Sequence, residues 1–493
     1  MEKVHRKFLS IGILLFWFIM LGLLSQRHYG PLWKTPFPVV SQKPLSFSEE
    51  EKERWMGIYL KGQKIGYAYN SIRKDGKGYM VNDTASMNLR VMGSPQKVET
   101  ATEARLGTDY KLESFNFRMS SDITSLEITG EIKENKLKLT LSSGADKSNE
   151  EIPLKDDIYL ESGLSEKFGM NGLKPGKRFR ALVFDPSTMS QQELNIVVEG
   201  KERIKIMGLD KDAYRMNASF KGINIIRWVD EKGEILKEES PLGFVMVKES
   251  KKDAMGVGPV AGTDIIAETV VLPNITLKDP ERVSYLKLRL KDIPLQGFFL
   301  SGGRQFLKGD ILEIKKEDIT RVKTQDLRLP VKDKSLREFL EPTLLIQSKD
   351  QRIVDKAKDI IGKEKDPLRS SMLLMEWVYK NIEKRPTVSI PNALEVLRMK
   401  QGDCNEHTTL FTALARSAGI PTKIDIGLVY SRSAFYYHAW PEVFVGEWVS
   451  LDPTLNQFPA DGTHIKFLEG DLDKQVEILR IVGKLSIEIL EYR

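Results

Sequence analysis

Residues 391–464 read PNALEVLRMKQGDCNEHTTLFTALARSAGIPTKIDIGLVYSRSAFYYHAWPEVFVGEWVSLDPTLNQFPADGTH. Near the middle of this segment lies the signature of a helix start. Asp403 can cap the first turn, and Glu406, three residues later, can complete a capping box. Gly419, followed by Ile-Pro, predicts where this helix ends. The segment therefore predicts a helix whose first turn contains Cys404.

Cys404 is the only cysteine of the chain. This excludes an intramolecular disulfide and a structural zinc site built from several thiolates. A single thiol is either a small buried apolar group or a reactive one. The unpaired N–H groups of a helix start favour a thiolate, whereas the charges of Asp403 and Glu406 oppose it. The sequence leaves the direction of the thiol pKa open.

A thiol nucleophile needs an imidazole nearby and a group that orients this imidazole. Of the five histidines, His5 and His28 precede the globular body, which leaves His407, His438 and His464. His407 follows Cys404 by three residues on the same predicted helix, and we interpret it as a packing or hydrogen-bonding residue.

His438 lies in the extended run YYHAWPEVFV, which the chain follows with a turn at Gly446 and the returning segment WVSLDPT. In this hairpin Asp452 lies opposite His438, to within a few residues of strand register. A carboxylate beside the imidazole would set its tautomer. Cys404, His438 and Asp452 are therefore the candidate catalytic residues.

Two alternatives remain open for the same residues. One is a zinc site formed by Cys404, His407, His438 and Asp452, because a Cys-x-x-His pair on one helix is a known ligand spacing. In the other, Cys404 is a core residue and the histidine and aspartate are hydrogen-bonded polar groups without catalytic function.

The segments QGDCNEHTTLFTALARSAGIPTKI and HAWPEVFVGEWVSLDPT resemble the core of the transglutaminase-like superfamily, which has a papain-like arrangement of cysteine, histidine and aspartate. The resemblance implies that Cys404 is the nucleophile, His438 the base and Asp452 the orienting acid. We expect no cofactor and no metal. The segment THIKFLEGD (463–471) also resembles membrane-anchored bacterial members, whose N-terminal portions are β-rich. No calcium-site pattern of the animal transglutaminases is present.

The N-terminus predicts a membrane anchor. Residues 8–26 contain no charge and are preceded by Lys3, Arg6 and Lys7. Nineteen such residues nearly span a bilayer, and the basic flank stays in the cytoplasm. We expect a transmembrane signal anchor over 1–30 and an extended linker over 31–50; a cleaved signal peptide and a buried helix are the alternatives. The expected location is the inner membrane, single-pass, with most of the chain in the periplasm.

The middle of the chain predicts antiparallel β structure, because apolar and polar residues alternate between turn signals. We expect an α+β protein with β-rich modules at 51–160 and 161–250, a strand-rich connecting module at 264–330 and a transglutaminase-like domain at 335–493.

The net charge is +6, of which +4 lies in residues 1–34. The charge balance of the remaining residues therefore gives no sign of nucleic-acid binding.

The expected function is acyl transfer in the cell envelope through a thioester, by a peptidase, deamidase or transamidase. Its partner would be a peptide or protein substrate, including an envelope component. The alternative is a catalytically silent scaffold or binding protein that uses the same fold.

Overall fold

The structure is a computed structural model. It describes residues 51–493 apart from 77, 123, 145, 165–171, 242, 257–263, 265–268, 323–326 and 388. The predicted anchor (1–30) and linker (31–50) lie outside the described residues. Among the helices that the structure describes, none is both long and apolar enough to cross a bilayer. Contacts divide the chain near residue 264 into two compact units.

The first unit is an antiparallel sheet with one short helix. Its strands are β1 (Lys52–Leu60), β2 (Gln63–Asp75), β3 (Gly78–Val91), β4 (Ser94–Leu106), β5 (Leu112–Ser121), β6 (Ser125–Lys133), β7 (Lys136–Ser143), β8 (Asp146–Pro153), β9 (Arg178–Asp185), β10 (Ser190–Ile206), β11 (Leu209–Phe220), β12 (Ile223–Val229), β13 (Ile235–Glu239) and β14 (Phe244–Lys248). The helix is α1 (Lys251–Met255). Along β3 and β4 every second side chain is more deeply buried, as the sequence alternation predicts.

These strands form one sheet in the order β8-β7-β6-β5-β4-β3-β2-β1-β14-β13-β12-β11-β10-β9. Neighbours along the chain pair as hairpins, except that β8 and β9 lie at opposite ends of this order. Two-residue turns with positive φ at both positions, Lys61–Gly62 and Met92–Gly93, fit the right-handed twist of the strands that they join. Strands of both predicted modules, 51–160 and 161–250, share this sheet because β1 pairs with β14. The boundary between the two modules stays a prediction.

The second unit contains smaller sheets and most of the described helices. Its strands are β15 (Tyr285–Lys291), β16 (Gln305–Lys308), β17 (Ile311–Lys315), β18 (Glu383–Lys384), β19 (Gln401–Gly402), β20 (Thr422–Ser431), β21 (Ala434–Phe444), β22 (Trp448–Ser450), β23 (Ile465–Glu469) and β24 (Ser486–Tyr492). Its helices are α2 (Gln351–Ile361), α3 (Pro367–Asn381), α4 (Ala393–Met399), α5 (Cys404–Ser417) and α6 (Leu472–Gln475).

Two four-stranded antiparallel sheets organise this unit, in the orders β16-β17-β15-β24 and β22-β21-β20-β23. One strand of the predicted connecting module (264–330), β15, thus pairs with β24, the last strand of the predicted C-terminal domain (335–493). The described residues are therefore mostly antiparallel sheet with few helices, in agreement with the coarse fold prediction.

Helix α5 is the buried centre of the second unit. Its predicted capping box is confirmed: Asp403 accepts a hydrogen bond from the Asn405 N–H at 2.9 Å, and Glu406 accepts one from the Asp403 N–H at 2.8 Å. From Cys404 to Ala415 all its residues are buried. A helix that is buried on all sides has no solvated face, so its polar side chains need partners inside the protein.

Candidate active site

Cys404 is the first residue of α5, and its side chain is fully buried. The backbone N–H of Ala439, on β21, donates a hydrogen bond to its sulfur. Burial, followed by the charge of Asp403, raises the pKa of the thiol well above its usual value. Burial and the neighbouring acids thus favour the protonated thiol over the thiolate.

His438 lies on β21, directly before the residue that contacts Cys404. Its Nε2 is 2.6 Å from Oδ2 of Asp452, and both side chains are fully buried. An ionised carboxylate only accepts hydrogen bonds, so Nε2 carries the proton and Nδ1 keeps a lone pair. Nδ1 has no hydrogen-bond partner among the described residues. The imidazole therefore has the tautomer in which Nδ1 can accept a proton.

Asp452 follows β22, and each of its carboxylate oxygens is bound twice. Oδ1 accepts from the N–H groups of Thr454 at 2.7 Å and Leu455 at 3.0 Å. Oδ2 meets His438 at 2.6 Å and His464 Nε2 at 3.1 Å. Burial acts to raise the pKa of this carboxyl, but its interactions with His438 and His464 hold it well below its usual range. Asp452 is therefore an ionised and firmly oriented group.

The sequence assigns no role to His464, and the structure places it in this network. Its Nδ1 lies 3.1 Å from Oδ1 of Asp461, opposite the contact with Asp452. Burial acts to lower its pKa, but the charge of Asp461 and the hydrogen bonds to both carboxylates raise it to about 9. No local pattern marks this residue; the available signal was that only three histidines fall in the globular body.

His407 lies outside this hydrogen-bonded chain. Its Nδ1 is 2.6 Å from the backbone carbonyl oxygen of Asp403, one turn earlier on α5. Burial lowers the pKa of His407 to about 4, so the ring is neutral at physiological pH. Its geometry is that of a helix-packing residue, as its position in the sequence suggests.

The set of possible metal ligands differs from the set in the zinc alternative. Ligand atoms of His438, Asp452 and His464 lie within 4.8 Å of one another, without Cys404 or His407 among them. These atoms already share hydrogen bonds, which a metal ion would have to replace.

A second acidic set lies elsewhere in the unit and comprises Asp425, Glu442 and Glu469. It already holds a cation, because Lys466 Nζ contacts the three carboxylates at 2.7, 3.0 and 2.8 Å respectively.

Comparison with known proteins identifies the domain. Residues 354–453 match the family model of the transglutaminase-like superfamily. This range contains Cys404, His438 and Asp452, and it lies within the segment 335–493 predicted from the sequence. The chain therefore contains a transglutaminase-like domain, and the recognition made from the sequence is confirmed. The catalytic assignment of the three residues stays a prediction.

Individual relatives cover parts of the chain. An uncharacterized protein of Haemophilus influenzae is 33% identical over 115 residues, which are 20% of this chain and 31% of that protein. The match thus spans under a third of the relative's length. A solved candidate cysteine protease of Cytophaga hutchinsonii is 16% identical, with 45% of this chain and 82% of that chain covered and a TM-score of 0.27. A solved candidate protease of Parabacteroides distasonis is 11% identical, with 74% and 65% covered and a TM-score of 0.20.

Proposed function

We propose that this protein is a cysteine acyl-transfer enzyme that acts on a peptide or carboxamide substrate through a thioester. The observation that carries the proposal is the arrangement around Ala439. Its N–H binds the Cys404 sulfur, and the preceding residue, His438, has a free Nδ1 while its Nε2 is held by Asp452. The backbone between Ala439 and His438 thus connects the nucleophile to the base, and one hydrogen bond connects the base to the orienting acid.

The reaction begins when the Cys404 sulfur attacks the substrate carbonyl carbon and its proton passes to Nδ1 of His438. The C–N bond then breaks, and His438 gives the proton to the leaving amine, which leaves a thioester on the sulfur. Water attacks the thioester and gives a proton to His438. The C–S bond breaks, the thiol regains its proton, and a carboxylic acid is released.

The remaining parts of the mechanism concern charge and the choice of acceptor. The backbone N–H of Cys404, at the start of α5, would donate to the oxyanion of the tetrahedral intermediate. Asp452 stabilises the imidazolium that forms at His438. We favour water as the acceptor, because no feature of the chain selects an amine.

A second candidate function is a catalytically silent scaffold. The observation that favours it is the complete burial of Cys404, His438 and Asp452, because a substrate can reach the sulfur only if the covering residues move. In this alternative the three residues serve packing and hydrogen bonding, and the domain binds its partner through its surface.

Mass spectrometry of the full chain incubated with a peptide library separates these candidates. The enzyme proposal expects an acyl adduct on Cys404 that hydroxylamine removes, together with new carboxylates in the peptides. Cys404→Ala should show neither. A wild-type protein that forms no adduct and converts no peptide would support the scaffold instead.

The proposed location is the cell envelope, with the body on the periplasmic side of the inner membrane and an envelope component as substrate. The support is the uncharged segment 8–26 behind a basic flank. A reporter fused after Arg493 should be active only outside the cytoplasm, and the full chain should sediment with membranes. A reporter that works only in the cytoplasm contradicts the orientation, and release of the intact body indicates a cleaved signal.

A further inference from the structure

His464 is bound by a carboxylate at each ring nitrogen. Nε2 lies 3.1 Å from Asp452 Oδ2, Nδ1 lies 3.1 Å from Asp461 Oδ1, and the ring is fully buried. A neutral imidazole has one donor and one acceptor nitrogen, whereas an ionised carboxylate can only accept. Both contacts are hydrogen bonds only if both nitrogens carry protons. The geometry thus requires a buried imidazolium.

Asp461 is itself fixed as an ionised group. Its Oδ1 accepts from the N–H and hydroxyl of Thr463 at 2.8 and 2.6 Å, and its Oδ2 accepts from Gln457 Nε2 at 2.8 Å. The guanidinium of Arg304 holds the same turn, because Nη2 donates to the carbonyl oxygens of Ala460 at 2.8 Å and Asp461 at 2.6 Å. Such a carboxylate can anchor one side of His464 without moving.

The charges nearest to His464 are those of Asp452 and Asp461, with His438 as a neighbouring ring at 5.7 Å between centroids. Arg304, which binds the turn, also lies 3.7 Å from Glu317. The two carboxylates and the imidazolium together carry one negative charge. His438 therefore faces one net negative charge, which stabilises the imidazolium that His438 forms during the reaction.

We propose that His464 is a positioning residue for the acyl-transfer reaction: as a buried cation between Asp461 and Asp452, it holds the Asp452 carboxylate in the orientation that keeps the proton of His438 on Nε2. This role rests on the proposed function. The hydrogen-bonded chain then runs from His438 through Asp452 and His464 to Asp461. Cys404 is connected to it through Ala439, the residue that follows His438. His464 touches no reacting atom and acts only through Asp452.

A purely structural role would have a different signature. In that case His464 would connect the turn at Asp461 to the start of β23, and its ring would pack against Trp440 at a centroid distance of 5.0 Å. Its replacement would then reduce folding and reactivity at every pH alike. The proposed role instead ties reactivity to the charge of the ring, which depends on pH.

The first measurement is nuclear magnetic resonance of the full chain with ¹⁵N-labelled histidine, which reports five residues. We expect His464 to have both ring nitrogens protonated at pH 7 and to lose a proton near pH 9. His438 should be protonated on Nε2 alone, and His464→Gln should reduce this tautomer. A His464 ring with only one protonated nitrogen at pH 7 would overturn the proposal.

The second measurement is the rate of Cys404 alkylation by iodoacetamide across pH 6 to 9. His464→Gln should lower the rate about tenfold at pH 7. Asp461→Asn keeps the ring but removes one anchor, so the charge of His464 is lost at a lower pH. This variant should react nearly as fast as wild type at pH 6 and clearly more slowly at pH 8. His407→Gln, which replaces a buried histidine outside the chain, is the matched control.

The outcomes are distinguishable. A reactive wild-type Cys404 whose rate and pH profile are unchanged in both variants overturns the role of His464 and leaves the proposed function standing. Equal losses at pH 6 and pH 8 in Asp461→Asn indicate a structural role and also overturn it. A wild-type Cys404 that does not react, together with an absence of peptide conversion, overturns the proposed function itself.

Discussion

The hydroxyl of Thr408, on α5, donates a hydrogen bond to the backbone carbonyl of Ala439, on β21, at 3.0 Å. The N–H of the same alanine donates to the sulfur of Cys404. Both backbone polar groups of the residue that follows His438 are thus held by the helix that carries the thiol. The separation of thiol and imidazole therefore depends on this helix–strand contact more than on either element alone.

Thr408→Val should weaken that contact, because valine keeps the shape of threonine and removes the donor. A buried carbonyl left without its partner costs about 1–3 kcal/mol. We expect a loss of this size in the free energy of unfolding in urea, and a several-fold slower alkylation of Cys404 under native conditions.

Thr412→Val is the matched control for this prediction. Thr412 lies one turn further along α5, is equally buried, and its hydroxyl has no partner among the described residues. Its replacement should be neutral or stabilising. An equal loss in the free energy of unfolding at the two positions would show that the hydrogen bond from Thr408 contributes nothing specific.

His407 and His438 should respond differently to the same substitution. His407→Asn should keep the rate of Cys404 alkylation within a few-fold of wild type, because the ring of His407 is hydrogen-bonded to the carbonyl of Asp403. His438→Asn should lose most of the Cys404 alkylation rate, because this substitution removes the free Nδ1. Alkylation rates of folded protein at pH 7 measure both. Similar losses in the two variants would mean that the base has been assigned to the wrong histidine.

The start of α5 could be predicted from the sequence because its capping box joins residues only three apart. The approach of Asp452 to His438 also followed from a local hairpin, and the structure brings the two together. His464 could not be placed, because its contact with Asp452 depends on how the chain turns back between them, including Asn456 with a φ of 58°. Pairing of β1 with β14 is likewise determined by tertiary packing rather than by local pattern.

The charge of His464 should make stability depend on pH in one direction. Its pKa is about 9 in the folded protein and about 6.5 in an unfolded chain. A raised pKa means that the folded state binds the proton more tightly. The stabilisation is complete below pH 6.5 and is lost as the pH rises through 9, and it amounts to about 3 kcal/mol.

The difference in unfolding free energy between wild type and His464→Gln tests this dependence. It should be largest at pH 6 and shrink steadily towards pH 9, because other groups titrate equally in both proteins and cancel. His407→Gln serves as the control, since the pKa of His407 is about 4 and its charge does not change in this range. A constant difference for His464→Gln between pH 6 and pH 9 would contradict the buried imidazolium.

Asp452→Asn distinguishes a catalytic acid from a zinc ligand. The asparagine oxygen can still accept from Thr454 and Leu455, so its NH₂ group faces the two imidazoles. His438 must then accept at Nε2 and carry its proton on Nδ1, which removes the lone pair that would accept a proton from the thiol. The corresponding change in a Ser-His-Asp enzyme costs about 10⁴ in turnover, and a thiol should lose less because it is the better nucleophile.

We therefore expect Asp452→Asn to stay folded, to bind no metal and to react with iodoacetamide much more slowly than wild type between pH 6 and pH 8. If Asp452 is a zinc ligand, the wild-type full chain should instead carry close to one zinc ion, and chelation should destabilise the domain. Elemental analysis of both purified proteins decides the question. Stoichiometric zinc in wild type that is lost in Asp452→Asn would exclude the thiol-nucleophile mechanism, because His438 and Asp452 would then be metal ligands and unable to serve as base and orienting acid.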